Sequence, residues 1–375
     1  MQRTVLDLNT DSKRKVLIIG ESYMNLEMET DSLLKNGNIT HGGKYGFHPY
    51  GMTAAAAVTV GKMGGKCVLC SKLAKDSNGN RLKEYYEKNG LDTGMITFPE
   101  GAQTGFAVTL YGKNSETEHY VSKGANGRFT KKDIDEAFGT CPDVFLVPQE
   151  ELVCAETDED KPALQTQKSD EPVDENASSD KPAQEKEKGE EESHSAVTDP
   201  RGRDTLALYA CNAAMERGVD MIVDYNSAAS ALPLSDFKGI KAFIISDETL
   251  SKMTGFYLTS EDRIVRALIS LKSKIPSKYY IIQVGNDTSL VYDGNSYQKI
   301  TLPTPDGVSE GKMNPTYVGA FIAEYLETKN IIRACTCAGV TSLLTKAHDG
   351  VLEKVPSKRE VEEYISQKGI NTRVW

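Results

Sequence analysis

Hydrophobic positions in this chain alternate between short apolar runs and longer stretches with helical spacing. The apolar runs are typical of strands buried on both faces of a parallel sheet, and they lie at residues 15–20, 67–69, 144–147, 219–224, 243–245 and 279–284. Helical spacing or small-residue composition predicts helices at 51–64, 81–89, 130–138, 205–218, 316–328, 331–344 and 359–367. This alternation predicts an α/β protein with a doubly wound, mostly parallel sheet and helices on both faces.

One stretch breaks this order and predicts a β-hairpin. Phe106, Val108 and Leu110 alternate with other residues, as in a strand with one buried face. Residues 112–115 have the composition of a turn, and the alternation returns after them. Residues 26–50 are polar and rich in Gly, with strand-like pieces and without a helical pattern.

The stretch from residue 303 to residue 326 predicts a Gly-rich loop that leads into a helix. Asn314 is a good N-cap, and Pro315 occupies the first helical position, which tolerates a missing N–H. Tyr317 and Phe321 follow at helical spacing. Free N–H groups and the positive end of the helix dipole can hold a phosphate at such a start. The same residues also fit an ordinary capped core helix.

The order of the elements and two short motifs resemble the ribokinase (PfkB) carbohydrate kinase family. The motifs are Gly124-Ala125-Asn126, before a helix, and Val318-Gly319-Ala320-Phe321. The resemblance covers nearly the whole chain outside one acidic insert. It implies a ribokinase-like fold with a small β lid, ATP-dependent phosphorylation of a sugar hydroxyl, and a requirement for Mg²⁺. It places lid strands at about 25–50 and 104–122, although a solvent-facing hairpin explains the first segment equally well.

The family pattern at the start of the late helix is G-A-G-D, in which the Asp is the catalytic base and G-A-G forms the anion hole. The matching positions are Lys312, Met313, Asn314 and Pro315. Proline cannot accept a proton, and it has no N–H for an anion hole. Lys312 and Asn314 remain candidates for contact with the nucleotide. Asp306 and Glu310 are candidates for a displaced base, and each precedes the expected position by several residues.

Three positions correspond to sugar contacts of the family. Asn25 stands where the family has an Asp that binds substrate hydroxyls, and it can still form hydrogen bonds. A simple turn residue after a strand is the alternative interpretation of Asn25. Gly51 keeps the Gly that opens the first family signature. Ala55 replaces the substrate-binding Asn of that signature, and a tightly packed Ala helix explains its segment without a ligand.

Five further positions correspond to the nucleotide and metal side. Asn226 lies where the family usually has N-P or D-P-N near the nucleotide. Asp247 and Glu248 lie at the position of the family N-x-x-E motif and are the metal candidates, and both fit equally well as caps of the next helix. Gly285 keeps one Gly of the family phosphate loop, and Asp287 belongs to the same turn.

Composition divides the chain into three parts and limits its partners. Residues 1–150 and 204–375 form two halves of one domain, and residues 151–203 are rich in Glu, Asp, Lys, Ser and Pro. We expect this insert to be disordered because it has too few large apolar residues to offset its ordering entropy. It fits a tolerated surface insertion or an acidic tether for a partner.

The net charge of −10 argues against binding to nucleic acid and brings no basic patch for a membrane surface. No apolar run reaches the length of a membrane span, and the first residues lack the apolar core of a signal peptide, so we expect a cytoplasmic protein. Seven scattered cysteines fit reduced thiols. Cys67 and Cys70 form a CxxC pair, which fits a buried strand better than a metal or redox site.

The sequence therefore predicts a PfkB-like protein with weak or no phosphotransfer that binds a ligand or a partner. The ligand would be a sugar or a nucleoside, and ATP and Mg²⁺ would bind if the protein is active. The alternative is an active kinase that uses Asp306 or Glu310 as its base. A third interpretation is a structural subunit whose lid pairs with another chain, for example in a homodimer.

Overall fold

The computed structural model describes residues 14–30, 41–112, 116–148, 152, 205–225, 227–306, 308, 315–347 and 352–371. Within these ranges the strands form one large sheet and one small sheet. The large sheet has the strand order β14-β13-β12-β11-β10-β9-β1-β4-β5, and β6 also pairs with β4. The pairings from β5 to β12 are parallel, whereas β13 and β14 extend the sheet as antiparallel strands. The prediction of a doubly wound, mostly parallel sheet is confirmed.

The strands of the large sheet follow the short apolar runs of the sequence. They are β1 (Lys15–Ile19), β4 (Lys66–Lys72), β5 (Leu91–Asp92), β6 (Ile96–Thr97), β9 (Val144–Leu146), β10 (Asp220–Asp224), β11 (Ile240–Ser246), β12 (Tyr279–Val284), β13 (Thr288–Tyr292) and β14 (Tyr297–Thr301). The central strands are buried on both faces, which explains why they are continuous apolar runs in the sequence.

Helices cover both faces of this sheet. They are α1 (Met52–Lys62), α2 (Ser77–Lys88), α3 (Lys131–Phe138), α4 (Leu206–Glu216), α5 (Ser227–Ser230), α6 (Asp247–Thr254), α7 (Glu261–Lys274), α8 (Pro315–Thr328), α9 (Ile331–Lys346) and α10 (Lys358–Gln367). Two apolar clusters result, one under α1, α2, α8, α9 and α10, and one under α3, α4, α6 and α7. The sheet separates the two clusters, so the core has three layers.

The small sheet, here called the lid sheet, has the order β3-β2-β7-β8. Its strands are β2 (Tyr23–Thr30), β3 (Gly42–Tyr50), β7 (Phe106–Tyr111) and β8 (Thr117–Ser122). Because β2 leaves the carboxyl end of β1 with only three residues between them, the lid sheet starts at that edge of the large sheet. A second connection joins His48 on β3 to Glu353, with 3.2 Å between His48 Nδ1 and Glu353 Oε1.

Close helix packing explains the small residues of the Val318–Phe321 motif. A Cβ atom on Gly319 would lie 2.4 Å from the carbonyl oxygen of Ala56 on α1 and 2.8 Å from Thr59 Cβ. Any side chain at position 319 would therefore push α8 away from α1. Ala320 and Phe321, on the same helix, are fully buried.

Some elements differ from the sequence-based predictions. Helix α2 begins at Ser77 rather than at residue 81, because Asp76 caps it through a bond from Gly79 N to Asp76 Oδ1 of 2.8 Å. Helix α7 and the antiparallel strands β13 and β14 are present in the structure and were not predicted from the hydrophobic pattern. Thr130 and Asp133 form a capping box at the start of α3, which agrees with the predicted start of this helix at residue 130.

The acidic insert enters and leaves the fold at neighbouring points. Leu152, placed in the insert by composition, is buried with 2% of its surface exposed. Its carbonyl oxygen accepts a hydrogen bond of 2.9 Å from the backbone N–H of Leu206, the first residue of α4. The rest of the predicted insert lies outside the described residues. No helix within the described ranges is both long enough and apolar enough to span a membrane.

Candidate functional site

The carboxyl ends of the parallel strands form one edge of the large sheet, here called the site edge. The lid sheet follows β1 at this edge, and the turns after β11 and β12 lie along it. Ligands of open α/β sheets bind outside such edges. Since β12 is four positions from β1, the two ends of the site are about 19 Å apart at ~4.8 Å per strand. The predicted sugar and nucleotide residues therefore occupy different halves of one edge.

Asn25 is the centre of a hydrogen-bond chain on one face of the lid sheet. Its side chain is fully buried. Asn25 Nδ2 donates to Glu27 Oε1 at 3.1 Å, and the Thr109 hydroxyl donates to Asn25 Oδ1 at 3.2 Å. Thr109 Oγ1 also lies 3.1 Å from His119 Nδ1. If the single Thr109 hydroxyl proton points to Asn25, the His119 ring donates from Nδ1, and the neutral ring then has an acceptor at Nε2.

The hydrogen-bond chain ends in two acceptors, Glu27 and His119. Two acceptors suit a ligand that donates hydrogen bonds from several hydroxyl groups. Glu27 is half-buried and His119 is exposed. The His119 ring stacks on Tyr50, with ring centroids 6.4 Å apart and an interplanar angle of 22°. Asn25 itself has both its carbonyl oxygen and its amide engaged within the protein. A ligand would therefore meet the outer groups of the chain first, and Asn25 would hold them in place.

A buried carboxylate that was not predicted from the sequence lies next to the hydrogen-bond chain of Asn25. Glu21, the second residue after β1, is 5% exposed. Its Oε1 accepts a bond of 2.8 Å from Lys123 Nζ, and its Oε2 accepts a bond from the Tyr23 hydroxyl. A Cβ atom on Gly51, whose φ is 125°, would lie 3.1 Å from the Glu21 carbonyl oxygen. The predicted Gly51 therefore gives Glu21 room at the start of α1.

The Gly124-Ala125-Asn126 motif has a structural role at the same place. Asn126 Oδ1 accepts from the backbone N–H of Ser22 at 3.1 Å, and Asn126 Nδ2 donates to the Ser22 carbonyl at 2.8 Å. Gly124 has a φ of 51°, and a Cβ atom there would lie 2.4 Å from the Gln103 carbonyl oxygen. The motif thus fixes the loop between β1 and the lid sheet.

Ala55 offers no polar group to a ligand, as the sequence predicts. It lies in the first turn of α1 and is partly buried against the core of α1 and α8. Its carbonyl oxygen accepts a bond of 2.7 Å from the Thr59 hydroxyl. The interpretation of this segment as a tightly packed Ala helix agrees with these contacts.

Among the described residues, the cavity on the nucleotide side of the site edge is small. Gly285, with a φ of 58°, and Asp287 form the turn after β12. They line a cavity of about 20 Å³, which has room for about one water molecule. Lys346 Nζ, on α9, donates to Asn286 Oδ1 at 2.7 Å across this turn, and burial lowers the pKa of Lys346.

Tyr317 closes the other side of that cavity. Its hydroxyl lies 3.0 Å from Ser289 Oγ, which makes it part of the wall rather than a free group. Burial raises the pKa of Tyr317 well above its ordinary value, so the phenol stays neutral. Binding of a nucleotide base here would require Lys346 or Tyr317 to move.

The two metal candidates lie at the start of α6. Ser246, not Asp247 or Glu248, is the N-cap, since its Oγ accepts from Thr249 N at 3.2 Å. Asp247 Oδ1 accepts from the Glu248 backbone N–H at 2.8 Å, and Glu248 pairs with Lys252 at 2.7 Å. Within the described ranges, no three His, Cys, Asp or Glu side chains are close enough to hold a metal ion. The magnesium assignment stays a prediction.

The transfer position is only partly described. Helix α8 begins with Pro315, the residue that replaces the family base. Asp306 is exposed in the loop after β14. Glu310, Lys312, Asn314 and Asn226, which the sequence nominates as site residues, lie outside the described residues.

The CxxC pair forms part of the core. Cys67 and Cys70 are both buried on β4 and are not joined by a disulfide. Burial raises the pKa of both thiols, that of Cys70 to about 12, so neither provides a thiolate at neutral pH. The interpretation as a buried strand agrees with the structure.

Glu21 and Asp224 are the carboxylates that sequence reasoning overlooked at the site edge. Asp224 ends β10 and is 7% exposed. Their positions in the sequence could have identified them. Glu21 follows an apolar run and Asp224 is the last residue of one, and ligands of α/β proteins bind at the carboxyl ends of such strands. The sequence around Lys123 and Thr109 does not indicate that they belong to the site. The fold of the lid sheet and its neighbouring loop brings them to Glu21 and Asn25.

Comparison with known proteins supports the assignment made from these elements. Residues 13–161 match the family of pfkB carbohydrate kinases. This part of the chain is therefore similar in sequence to the PfkB carbohydrate kinases. A ribokinase from Dictyostelium discoideum is 25% identical over 126 residues, which are 33% of this chain and 39% of that protein. A probable fructokinase-3 from Arabidopsis thaliana is 36% identical over 70 residues, 19% of this chain and 20% of that protein. The chain thus aligns with two fifths or less of the length of these curated relatives.

Solved structures extend the likeness to nearly the whole fold. Arabidopsis thaliana ribokinase complexed with ribose and ATP has a TM-score of 0.67 at 15% identity, over 94% of this chain and 98% of that one. Thermotoga maritima ribokinase has a TM-score of 0.65 at 17% identity, over 94% and 99%. At these identities the likeness shows the fold, which is that of the PfkB-family ribokinases.

Proposed function

We propose that this PfkB-family protein binds a sugar or nucleoside between the lid sheet and the site edge, with weak or no transfer of phosphate to it. The observation that carries the second part is Pro315 at the first position of α8. In the family resemblance this position holds the base that deprotonates the substrate hydroxyl. Loss of a general base typically lowers the rate by ~10²–10⁴. Loss of an anion-hole donor removes about another 10²–10³.

The lid sheet supports the binding part of the proposal. Glu27, Asn25, Thr109 and His119 form a continuous hydrogen-bond chain on one lid face. A buried polar chain is costly unless its members are satisfied, so a chain with accessible acceptors at its ends suits a polyhydroxyl ligand. The Arabidopsis ribokinase with the same fold was solved with ribose and ATP. We therefore place the sugar or nucleoside at this face, and ATP with Mg²⁺ along the β11 and β12 turns.

The transfer experiment restores the missing base. Pro315→Asp supplies a carboxylate at the start of α8, where a negative side chain is also favoured by the helix dipole. Pro315→Ala is the matched control, because it restores the backbone N–H and supplies no base. ADP release is measured with ATP and Mg²⁺ over a panel of sugars and nucleosides. We expect Pro315→Asp to exceed both the unchanged protein and Pro315→Ala by about 10²-fold.

The alternative function is an active kinase with a displaced base. Asp306 is the described residue that favours this alternative. Its carboxylate is exposed, and it lies in the loop that precedes α8, nine positions before Pro315. Substrate-dependent ADP release by the unchanged protein that disappears in Asp306→Asn or Glu310→Gln would establish this alternative and overturn weak transfer. Turnover unaffected by either change would exclude both residues as the base.

The binding part is tested separately by calorimetric titration. Asn25→Leu keeps the size of the side chain and removes both hydrogen-bonding groups, and Asn25→Asp restores the family carboxylate. Tyr120→Phe, on the opposite face of the lid sheet, is the control. We expect Asn25→Leu to weaken binding of the tightest-binding sugar or nucleoside by about tenfold. The reason is that the substitution removes a buried or charge-assisted hydrogen bond. Equal affinity in Asn25→Leu and Tyr120→Phe would contradict the lid-face site.

A further inference from the structure

A second pocket lies at the edge of the large sheet opposite the site edge. Its volume is about 270 Å³. It is formed where β9, β10, β11 and β12 begin and where α8 ends. We call it the far pocket. Val144, Ile222 and Ile322 form its apolar floor. It lies a whole strand length from the lid sheet, so the site described above does not explain it.

Two tyrosine rings form one wall of the far pocket. The rings of Tyr279 and Tyr325 meet edge to face, with centroids 6.1 Å apart and an interplanar angle of 75°. Phe321 stacks on Tyr325 at 5.7 Å, which fixes the orientation of that ring. Burial raises the pKa of Tyr325 to about 12, so its phenol is a hydrogen-bond donor at neutral pH. This wall offers the apolar surface of two rings and their two phenol hydroxyl groups.

Four cations surround the far pocket. They are Arg14, Lys241, Lys278 and Lys329. Asp220 also lines it and pairs with Lys241, with 3.0 Å between Lys241 Nζ and Asp220 Oδ2. The nearby Asp143 accepts a 2.8 Å bond from the backbone N–H of Lys15. Two carboxylates therefore face four cations at this end of the sheet.

Three of these cations have no carboxylate within ion-pair distance among the described residues. Lys278 and Lys329 instead lie over aromatic rings, Lys278 Nζ at 5.1 Å from the Tyr279 ring and Lys329 Nζ at 5.3 Å from the Tyr325 ring. Arg14 has no ion pair in this part of the chain. Like charges that converge on a cavity repel one another more strongly than on an open surface, because protein replaces part of the water.

Lys329 shows the effect of this crowding. It follows the last residue of α8 and has a φ of 56°, in the left-handed region. Burial lowers the pKa of Lys329, and repulsion from Arg14 and Lys241 lowers it further. Attraction to Asp143 and Asp220 opposes these effects without cancelling them. A bound anion would relieve this repulsion and recover the free energy that it costs.

We propose that the far pocket binds a small organic phosphate, with its planar or apolar body against the tyrosine wall and its phosphoryl group among Arg14, Lys278 and Lys329. Several cations around one cavity favour a dianionic phosphoryl group over a single carboxylate. A volume near the lower end of ligand sites limits the body to about one ring. The proposal does not depend on the sugar or nucleoside site, since the two share no residue.

The test is a calorimetric titration of the full chain with phenyl phosphate, a one-ring organic phosphate. Inorganic phosphate tests the contribution of the ring, and phenol tests the contribution of the charge. We expect saturable binding of one phenyl phosphate per chain, weaker binding of inorganic phosphate, and no measurable binding of phenol. Lys278→Gln and Lys329→Asn should each weaken phenyl phosphate by about tenfold or more, because each removes a charged donor.

The variants are chosen so that misfolding does not imitate the result. Asn tolerates the positive φ at position 329, and Lys278 lies between α7 and β12. Lys132→Gln makes the same change of charge on the exposed face of α3, where the Lys132 side chain is 83% exposed. Unchanged melting temperatures of the two pocket variants would verify folding.

Three results would overturn the far-pocket site. The first is that phenyl phosphate shows no saturable binding, and the second is that it binds the unchanged protein and both pocket variants with equal affinity. The third is that Lys132→Gln weakens phenyl phosphate binding as much as the pocket variants do. Equal affinity in the variants would place the phosphate elsewhere, for example at the nucleotide half of the site edge. None of these results bears on Pro315→Asp or Asn25→Leu, so failure of this inference is distinguishable from failure of the proposed function.

Discussion

Asn126 joins two loops that are 104 positions apart in the sequence. Its amide satisfies both the N–H and the carbonyl of Ser22, which are buried beneath the lid sheet. The family resemblance singled out this residue, although no local pattern could identify its partner. Hydrogen bonds between distant loops depend on the packing of several elements, and periodicity reports only one element at a time.

We expect Asn126→Ala to lower the free energy of unfolding by about 2–4 kcal/mol, because two buried backbone groups lose their partner. Urea denaturation measures this difference. Asn126→Asp should cost less, since it retains an acceptor for the Ser22 N–H. Asn80→Ala, on the exposed side of α2, serves as the control. An Asn126→Ala protein as stable as this control would contradict the role assigned to the amide.

At the scale of single elements, the start of α2 shows where sequence reasoning loses accuracy. The hydrophobic pattern begins late in this helix, whereas its cap depends on Asp76 and on a residue far along the chain. Asp76 accepts from Gly79 N at 2.8 Å, from Thr104 N at 2.8 Å and from the Thr104 hydroxyl at 2.7 Å. Core positions are therefore readable from periodicity, but the boundary depends on side-chain contacts that periodicity does not contain.

Asp76 also gives a prediction about pH. Burial opposes its ionisation, but the hydrogen bonds from Thr104 and Gly79 outweigh burial and lower its pKa in the folded protein. A carboxyl group with a lowered folded pKa stabilises the fold above its unfolded pKa, about 3.9, and this contribution is lost as the pH falls through the folded pKa. We expect Asp76→Asn to be less stable than the unchanged protein at neutral pH and to approach it in strong acid. Thermal melts across this range measure the gap, and a gap independent of pH would contradict the assignment.

At the scale of the whole molecule, the architecture followed from the sequence, but neither pocket did. The parallel order of β4, β1, β9, β10, β11 and β12 is the consequence of apolar runs that alternate with helices. The far pocket combines residues from position 14 to position 329, each unremarkable in its own segment. Strand β14, at the edge of the sheet, escaped prediction because most of its residues are exposed and its apolar pattern is weak.

The lid sheet gives the prediction at this scale. Its outer face exposes apolar rings, with Tyr45 70% exposed and Phe47 41% exposed. Exposed apolar patches favour association, so we expect a concentration-dependent homodimer through this face. Tyr45→Lys should shift the protein to monomer, and Tyr257→Lys, at a residue 68% exposed outside the lid sheet, should not. Light scattering after size exclusion measures both. A monomer at every concentration, or identical masses for the two variants, would contradict this interface.

The hydrogen bond between Leu152 and Leu206 has a further consequence for how the polypeptide can be opened. Because the folded protein holds residues 152 and 206 next to each other, a break in the polypeptide between them is compatible with this contact. The protein could therefore be divided there and made as two separate pieces that reassemble. A reporter or a second protein could be fused at this junction for the same reason.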